Sequence, residues 1–117
     1  MKITRGTTPK IRMNVKSDID LHTISVVWAY ITQDKRVVID KAIPDVTFDY
    51  DKRAILLTMS QEDTLSLKPS YDTYKPSHCC AKETKFQIRL LTLSGEALAS
   101  DDFSVTIKDI GKDGVIK

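Results

Sequence analysis

The stretch KFQIRL, residues 85–90, alternates apolar and polar side chains without a break. Its apolar members fall at every second position: Phe86, Ile88 and Leu90. Side chains of a strand point alternately to its two faces, so this rhythm indicates a strand with one buried face. We therefore predict that Phe86, Ile88 and Leu90 are core anchors.

Similar alternation recurs along the chain, at residues 11–15, 46–50, 55–59 and 103–107, and the apolar run at 37–39 begins a further strand. Short polar segments separate most of these runs, as they do between the strands of hairpins. Phe103 begins the last run and is predicted to be another core anchor. Several short strands at regular spacing are typical of two packed sheets. We predict an all-β, immunoglobulin-like β-sandwich of about seven strands.

The segment ISVVWAYIT, residues 24–32, is rich in β-branched and aromatic side chains. Such a composition favours a central strand that is covered on both faces. Trp28, the single tryptophan of the chain, is accordingly predicted to be a core anchor.

The segment SQEDTL, residues 60–65, predicts the one helical element. The hydroxyl of Ser60 can accept a hydrogen bond from a free amide of the first turn, and acidic residues are favourable there. We expect one short helical turn near residues 60–66. Residues 68–84 follow with no period and are expected to form a long surface loop.

The chain length of 117 residues fits one domain, residues 1–117. The last segment, residues 110–117, has two glycines flanking a charged pair and is expected to be a flexible tail. Formal net charge is +2, and the 18 basic residues are interleaved with 16 acidic ones. Nucleic-acid binding is not expected, because it needs a concentrated basic face.

Membrane insertion is not expected, because the apolar runs are far shorter than the roughly 20 residues of a spanning helix. The N-terminus meets no apolar segment of the kind that directs secretion. Cys79 and Cys80 are adjacent and cannot bridge to each other, so a reducing compartment is the simpler interpretation. We expect a soluble protein that is synthesised in the cytoplasm.

The cluster His78-Cys79-Cys80 is the one set of soft metal ligands in the sequence. A zinc site there would need a fourth ligand from His22 or a distant acid, and adjacent cysteines do not have the usual spacing of zinc pairs. Neighbours in an extended loop also point apart, which disfavours a thiol nucleophile. We expect an exposed loop, with no metal and no cofactor.

Acidic residues at 45, 49 and 51 could gather around calcium, but their spacing matches no calcium loop. Turn-forming carboxylates are the favoured interpretation. The sequence contains neither a serine elbow nor a glycine-rich phosphate loop. We therefore predict no catalytic residues and no enzymatic activity; a zinc-dependent or thiol enzyme is the least favoured hypothesis.

Tyr71 and Tyr74 lie in the long loop with two prolines, and His78 follows them. Tyrosine offers a large contact area at low cost in conformational entropy. We predict that Tyr71, Tyr74 and His78 contact a partner. An alternative function is a carbohydrate-binding or host-recognition module, in which the tyrosine rings stack on sugars.

Five segments that together extend over nearly the whole chain resemble segments of one known family. They are residues 4–9, 20–28, 57–65, 86–100 and 108–110. The most specific are the SQEDTL turn and the strand that runs from Gln87 towards Gly95 and Ser100. In these segments the chain resembles the small N-terminal-type domain of phage baseplate upper proteins and related prophage virion proteins. Neither segment is a catalytic motif.

The resemblance implies an immunoglobulin-like sandwich that docks onto other tail or baseplate proteins and needs no cofactor. It implies a virion protein that is synthesised in the bacterial cytoplasm. We expect other virion or tail proteins as partners, and we expect a homo-oligomer, because domains of this kind assemble through sheet edges or closed symmetric packing.

Overall fold

The computed structural model describes residues 1–70 and 83–117, and this part of the chain is mainly β-structure. Its ten strands are β1 (Lys2–Thr4), β2 (Lys10–Asn14), β3 (Ile24–Gln33), β4 (Arg36–Lys41), β5 (Val46–Asp49), β6 (Ala54–Thr58), β7 (Thr84–Thr92), β8 (Ala97–Ala99), β9 (Phe103–Ser104) and β10 (Thr106–Lys108). The expected all-β sandwich is confirmed. The strand number exceeds about seven because β1 and β8 are too short to show a two-residue period, and because the predicted strand at residues 103–107 is divided into β9 and β10.

The larger sheet has five strands in the order β4-β3-β7-β8, with β9 also pairing with β7. All of its pairings are antiparallel. The two longest strands form its centre, with Ile24 opposite Thr92 at one end and Gln33 opposite Thr84 at the other. The predicted strand at 85–90 is therefore one of the two central strands.

The smaller sheet has three antiparallel strands in the order β2-β6-β5. A third pairing joins β1 to β10 in parallel and brings the two ends of the chain together. Side chains from the larger sheet, the smaller sheet and the β1–β10 pair share one hydrophobic core. Ile3, Leu57, Phe86 and Ile107 are almost fully buried in it.

Two of the predicted core anchors lie deep in this core, since Phe86 and Ile88 are both buried. Leu90 is half-buried and packs against the core from its margin. Trp28 and Phe103 were expected to be anchors as well, but this expectation is wrong. Trp28 is 50% exposed and Phe103 is 39% exposed.

The difference follows from which face of each strand the core covers. In β3, the inward positions are taken by Val27, Ala29 and Ile31, which are buried. Trp28 lies between them in the alternation and therefore points away from the core. The expectation that this strand is covered on both faces is thus wrong. Phe103 lies in a two-residue strand at the sheet margin, where little packs over it.

The expected helical turn near residues 60–66 is helix α1 (Gln61–Leu65), and it begins with a capping box. The hydroxyl of Ser60 accepts from the backbone N–H of Asp63, and the Asp63 carboxylate accepts from the Ser60 N–H. These reciprocal bonds satisfy free amides of the first turn. A single 3₁₀ turn spans Leu21–Thr23. Within residues 1–70 and 83–117, no helix is long and apolar enough to cross a membrane.

The expected hairpin between β3 and β4 turns on two residues with left-handed backbone geometry. Asp34 has φ 51° and Lys35 has φ 68°. Positive φ at both central residues is the geometry that matches the twist of a two-residue hairpin. Asparagine or glycine is the usual occupant, so Lys35 is an unfavourable choice at this position.

The C-terminal segment, residues 110–117, makes hydrogen-bonded contacts with the body of the domain. The Ile116 N–H donates to Oε1 of Gln61 over 2.7 Å, and Gln61 Nε2 donates to the Ile116 carbonyl over 3.1 Å. Asp113 accepts from the guanidinium of Arg5. The flexibility of this tail stays a prediction, and these contacts show where it meets the domain.

Candidate protein-interaction surfaces

The partner-binding residues predicted from sequence are Tyr71, Tyr74 and His78, and all three lie outside the described residues. Cys79 and Cys80 lie outside them too, so the zinc alternative is not tested there. The surfaces that follow were not predicted. They come from the arrangement of the two sheets.

An exposed apolar patch occupies one half of the outer face of the five-stranded sheet. Across the strands, Val26 lies beside Leu91, which lies beside Ala97, and Trp28 lies beside Arg89. We call these five residues the sheet-face patch. Val26 is 41% exposed and Leu91 is 38% exposed, and the patch lines a shallow depression of about 180 Å³. Large exposed apolar side chains in contact with one another are typical of an interaction site.

The indole of Trp28 is held by the neighbouring strand. The guanidinium carbon of Arg89 lies 5.4 Å from the centroid of the Trp28 ring, which is a cation–π contact. Such a contact stabilises an exposed pair by about 0.5–1 kcal/mol. It restricts the orientation of the indole before any partner arrives, which lowers the entropy lost on binding.

The other half of the same sheet face is polar. The Tyr30 hydroxyl donates to Oε1 of Gln87, and Gln87 Nε2 donates to the Ser100 carbonyl over 2.9 Å. Further along the strands, Lys85 Nζ donates to Ser104 Oγ over 3.2 Å. These bonds satisfy the polar groups within the sheet, so the apolar half is the part suited to burial against another protein.

A second surface is an open cleft between the two sheets, with a volume of about 450 Å³. We call it the edge cleft. Its apolar lining comes from Met13, Val15, Ile19, Leu90, Leu98 and Phe103. The strand order makes β2 the margin of the smaller sheet and β8 the margin of the larger one. The edge cleft is therefore bordered by two strand edges with no neighbouring strand in the described part of the chain.

The two borders of the edge cleft carry opposite charge. On and just after β2 most of the exposed charged residues are basic, namely Lys10, Arg12 and Lys16, and Asp18 is the nearest acidic one. Around β8 they are acidic: Glu96, Asp101 and Asp102. Within residues 1–70 and 83–117, none of the three basic residues and none of the three acidic residues around β8 forms an ion pair.

The most buried charged cluster surrounds Arg5, and its geometry is structural. Arg5 Nη1 lies 2.7 Å from Oδ1 of Asp109 and 2.9 Å from Oδ1 of Asp113. Arg5 also donates to the carbonyls of Leu65 and Leu67, at the end of α1. Burial opposes the charge of the guanidinium, but hydrogen bonds and charge attraction from Asp113 and Asp109 outweigh it and raise the pKa of Arg5. Its hydrogen bonds hold the two chain ends against α1.

His22 and the acidic turn residues take ordinary structural positions. The imidazole of His22 stacks on the ring of Tyr50, with centroids 3.9 Å apart and planes 8° from parallel. The carboxylate of Asp49 accepts from the backbone N–H of Lys52, which is the turn role favoured from the sequence. In the described part of the chain, no three histidine, cysteine or acidic residues are grouped so that they could hold a metal ion.

The sequence does contain a signal for the sheet-face patch. Trp28 lies on the same face of its strand as Tyr30 and Thr32, which carry polar groups. Ala29 and Ile31 lie on the opposite face. Parity therefore assigns Trp28 to the outer face, against its own hydrophobicity. The edge cleft has no comparable signal, because it depends on which strands end each sheet.

No protein-family model matches the chain, and no curated protein is significantly similar to it. The resemblance to the phage baseplate domain accordingly stays a prediction. The fold and the two surfaces are the observations from which a function can be argued.

Proposed function

We propose that this chain is a structural protein of a phage or prophage virion, a tail or baseplate component that acts by protein–protein assembly and not by catalysis. Two observations support the proposal. The segments that resemble the baseplate domain extend over nearly the whole chain, and the fold is the β-sandwich that the resemblance implies. The exposed Trp28, at the centre of the sheet-face patch, is the single observation that carries the assembly role.

The residue types of the patch suit a protein partner. Tryptophan and arginine are enriched among the few interface residues that carry most of a binding energy. Trp28 and Arg89 are such a pair, already in contact, and the aliphatic side chains of Val26 and Leu91 lie next to them. A partner that covers this half of the sheet face would bury apolar surface and would have to supply an acceptor for the guanidinium of Arg89.

The experiment measures binding of the purified full chain to the tail and baseplate proteins encoded by neighbouring genes. We expect at least one of them to bind, and we expect Trp28→Ser to weaken that binding about 30-fold, or about 2 kcal/mol. The matched control is Val37→Ser, which removes an exposed apolar side chain from β4, away from the patch. This control is expected to bind like the unmodified chain.

Two results would overturn the proposal. One is that none of the neighbouring tail proteins binds; the other is that Trp28→Ser and Val37→Ser bind equally well. The alternative function, a carbohydrate-binding or host-recognition module, is tested in parallel on a glycan array with the same variants and with Tyr71→Ala and Tyr74→Ala. Glycan binding without tail-protein binding would favour this alternative.

A further inference from the structure

The side of the sandwich that holds the edge cleft differs from the opposite side. On the opposite side, the chain itself crosses from β4 to β5 within residues 42–45, and the Val46 N–H bonds to the Ala42 carbonyl over 3.1 Å. At the edge cleft, β2 and β8 each have a neighbouring strand on one side only, as β4 and β5 do on the opposite side. Such edges expose unpaired backbone groups that can bind an added strand.

The cleft offers apolar burial along with these edges. Phe103 and the partly buried side chains of Met13, Val15 and Leu90 line it. The last three pack against the hydrophobic core on one side and face the cleft on the other. A strand added at either edge would place every second side chain over this apolar lining. Backbone pairing and apolar burial would thus be gained in the same contact.

Charge decides which strand fits. An added copy of β2 beside β2 would set Arg12 and Lys16 against the same basic residues, which is repulsive. An added copy of β8 beside β8 would likewise oppose Asp101 and Asp102 with acids. Pairing β2 with β8 of another copy brings the basic border against the acidic one, which is favourable.

We propose that a second copy of this chain closes the edge cleft, with β2 of each protomer added to β8 of its partner. Both edges border the same cleft, so a twofold axis along it makes the two strand pairings simultaneously and leaves neither β2 nor β8 open to a third copy. The product is a closed dimer with two continuous sheets. The inference deepens the proposed assembly role by naming one partner, and it uses the free edge of β8, whereas the sheet-face patch uses the outer face of the sheet at Ala97.

The experiment measures the mass of the full chain by sedimentation equilibrium, with two charge-reversal variants. The basic-border variant carries Arg12→Glu and Lys16→Glu, and the acidic-border variant carries Asp101→Lys and Asp102→Lys. We expect the unmodified chain to reach twice its 13.2 kDa monomer mass. In a dimer of either variant alone, like charges face each other in both β2–β8 pairings. We therefore expect the dissociation constant to rise about 100-fold, which corresponds to about 2.7 kcal/mol of binding free energy.

An equimolar mixture of the two variants is the decisive sample. In the mixed pair, the reversed β2 of one protein faces the reversed β8 of the other, and both remaining borders keep their natural charges. We therefore expect the mixture to recover the dimer, although each variant alone stays monomeric. All four substituted residues are exposed, so we expect both variants to fold. Circular dichroism of each variant checks this.

Three results would overturn the dimer: an unmodified chain that stays monomeric, single variants that still dimerise, or folded variants that do not pair when mixed. Binding of tail proteins is measured on the same samples. If the dimer fails while Trp28-dependent binding persists, the proposed assembly role stands without it. If the dimer forms and no tail protein binds, the proposed function fails alone.

Discussion

The guanidinium of Arg5 lies 2.7 Å from the carboxylate of Asp109, a residue 104 positions further along the chain. The side chain of Asp109 is almost fully buried, so the pair is an internal ion pair and not a surface contact. Replacing Arg5 removes the positive charge beside this buried carboxylate. Arg5 therefore reinforces the contact between the two chain ends that the β1–β10 pairing also makes.

We expect Arg5→Met to lower the free energy of unfolding by about 3 kcal/mol, within the range for breaking a buried pair. Methionine keeps the apolar stem of the side chain but removes its five hydrogen bonds. Urea denaturation measures the change, with Arg36→Met on the exposed surface of β4 as the control. A loss as small as that of the control would mean that the cluster contributes little to stability.

Trp28 and Phe86 are expected to differ sharply on replacement, although both belong to central strands of the larger sheet. Phe86 is fully buried, and Phe86→Ala is expected to cost about 3–5 kcal/mol. Trp28→Thr keeps a strand-forming residue on the outer face and loses mainly the contact with Arg89, so we expect a cost within about 1 kcal/mol. Thermal unfolding compares the two; equal costs would contradict the exposed position of Trp28.

Much of this fold could be read from alternation, and its limits are physical. Phe86 and Ile88 could be predicted as core residues because their strand keeps a strict two-residue rhythm between polar neighbours. The prediction for Trp28 is wrong because it follows the apolar composition of the strand and not its parity, which Tyr30 and Thr32 mark as the outer side. Arg5 gave no signal at all, because its partner Asp109 is distant in sequence. The edge cleft depends on strand order, which local patterns do not encode.

The turn between β3 and β4 offers a stabilising substitution. Lys35 has φ 68°, a conformation that costs a residue with a Cβ atom about 1 kcal/mol and costs glycine nothing sterically. We expect Lys35→Gly to raise the free energy of unfolding by about 0.5 kcal/mol, the gain being reduced by the greater freedom of glycine in the unfolded chain. Lys52→Gly, in the other hairpin turn, is the control, because Lys52 has no positive φ. A destabilised Lys35→Gly in urea denaturation would contradict the turn geometry.

We expect the free energy of unfolding to depend on pH through Asp63, in the first turn of helix α1. Burial opposes the charge of this carboxylate, but the ion pair with Lys41 at 2.9 Å and the hydrogen bonds from Ser60 outweigh it and lower the pKa of Asp63 below its ordinary 3.8. Because the pKa of Asp63 is lower in the folded state, the ionised carboxylate stabilises the fold at pH values above its ordinary pKa of 3.8. This contribution is lost as the pH falls below 3.8 through the lowered pKa.

Asp63→Asn should therefore lower the free energy of unfolding at neutral pH by about 0.5–1 kcal/mol, because the amide can still accept from Ser60 but no longer attracts Lys41. The difference from the unmodified protein should shrink towards zero in strong acid, where Asp63 is protonated. Urea denaturation over a series of pH values measures it. Glu62→Gln removes the same charge from the adjacent exposed position, so a matching pH dependence in that variant would assign the effect to general charge and not to the Asp63 pairing.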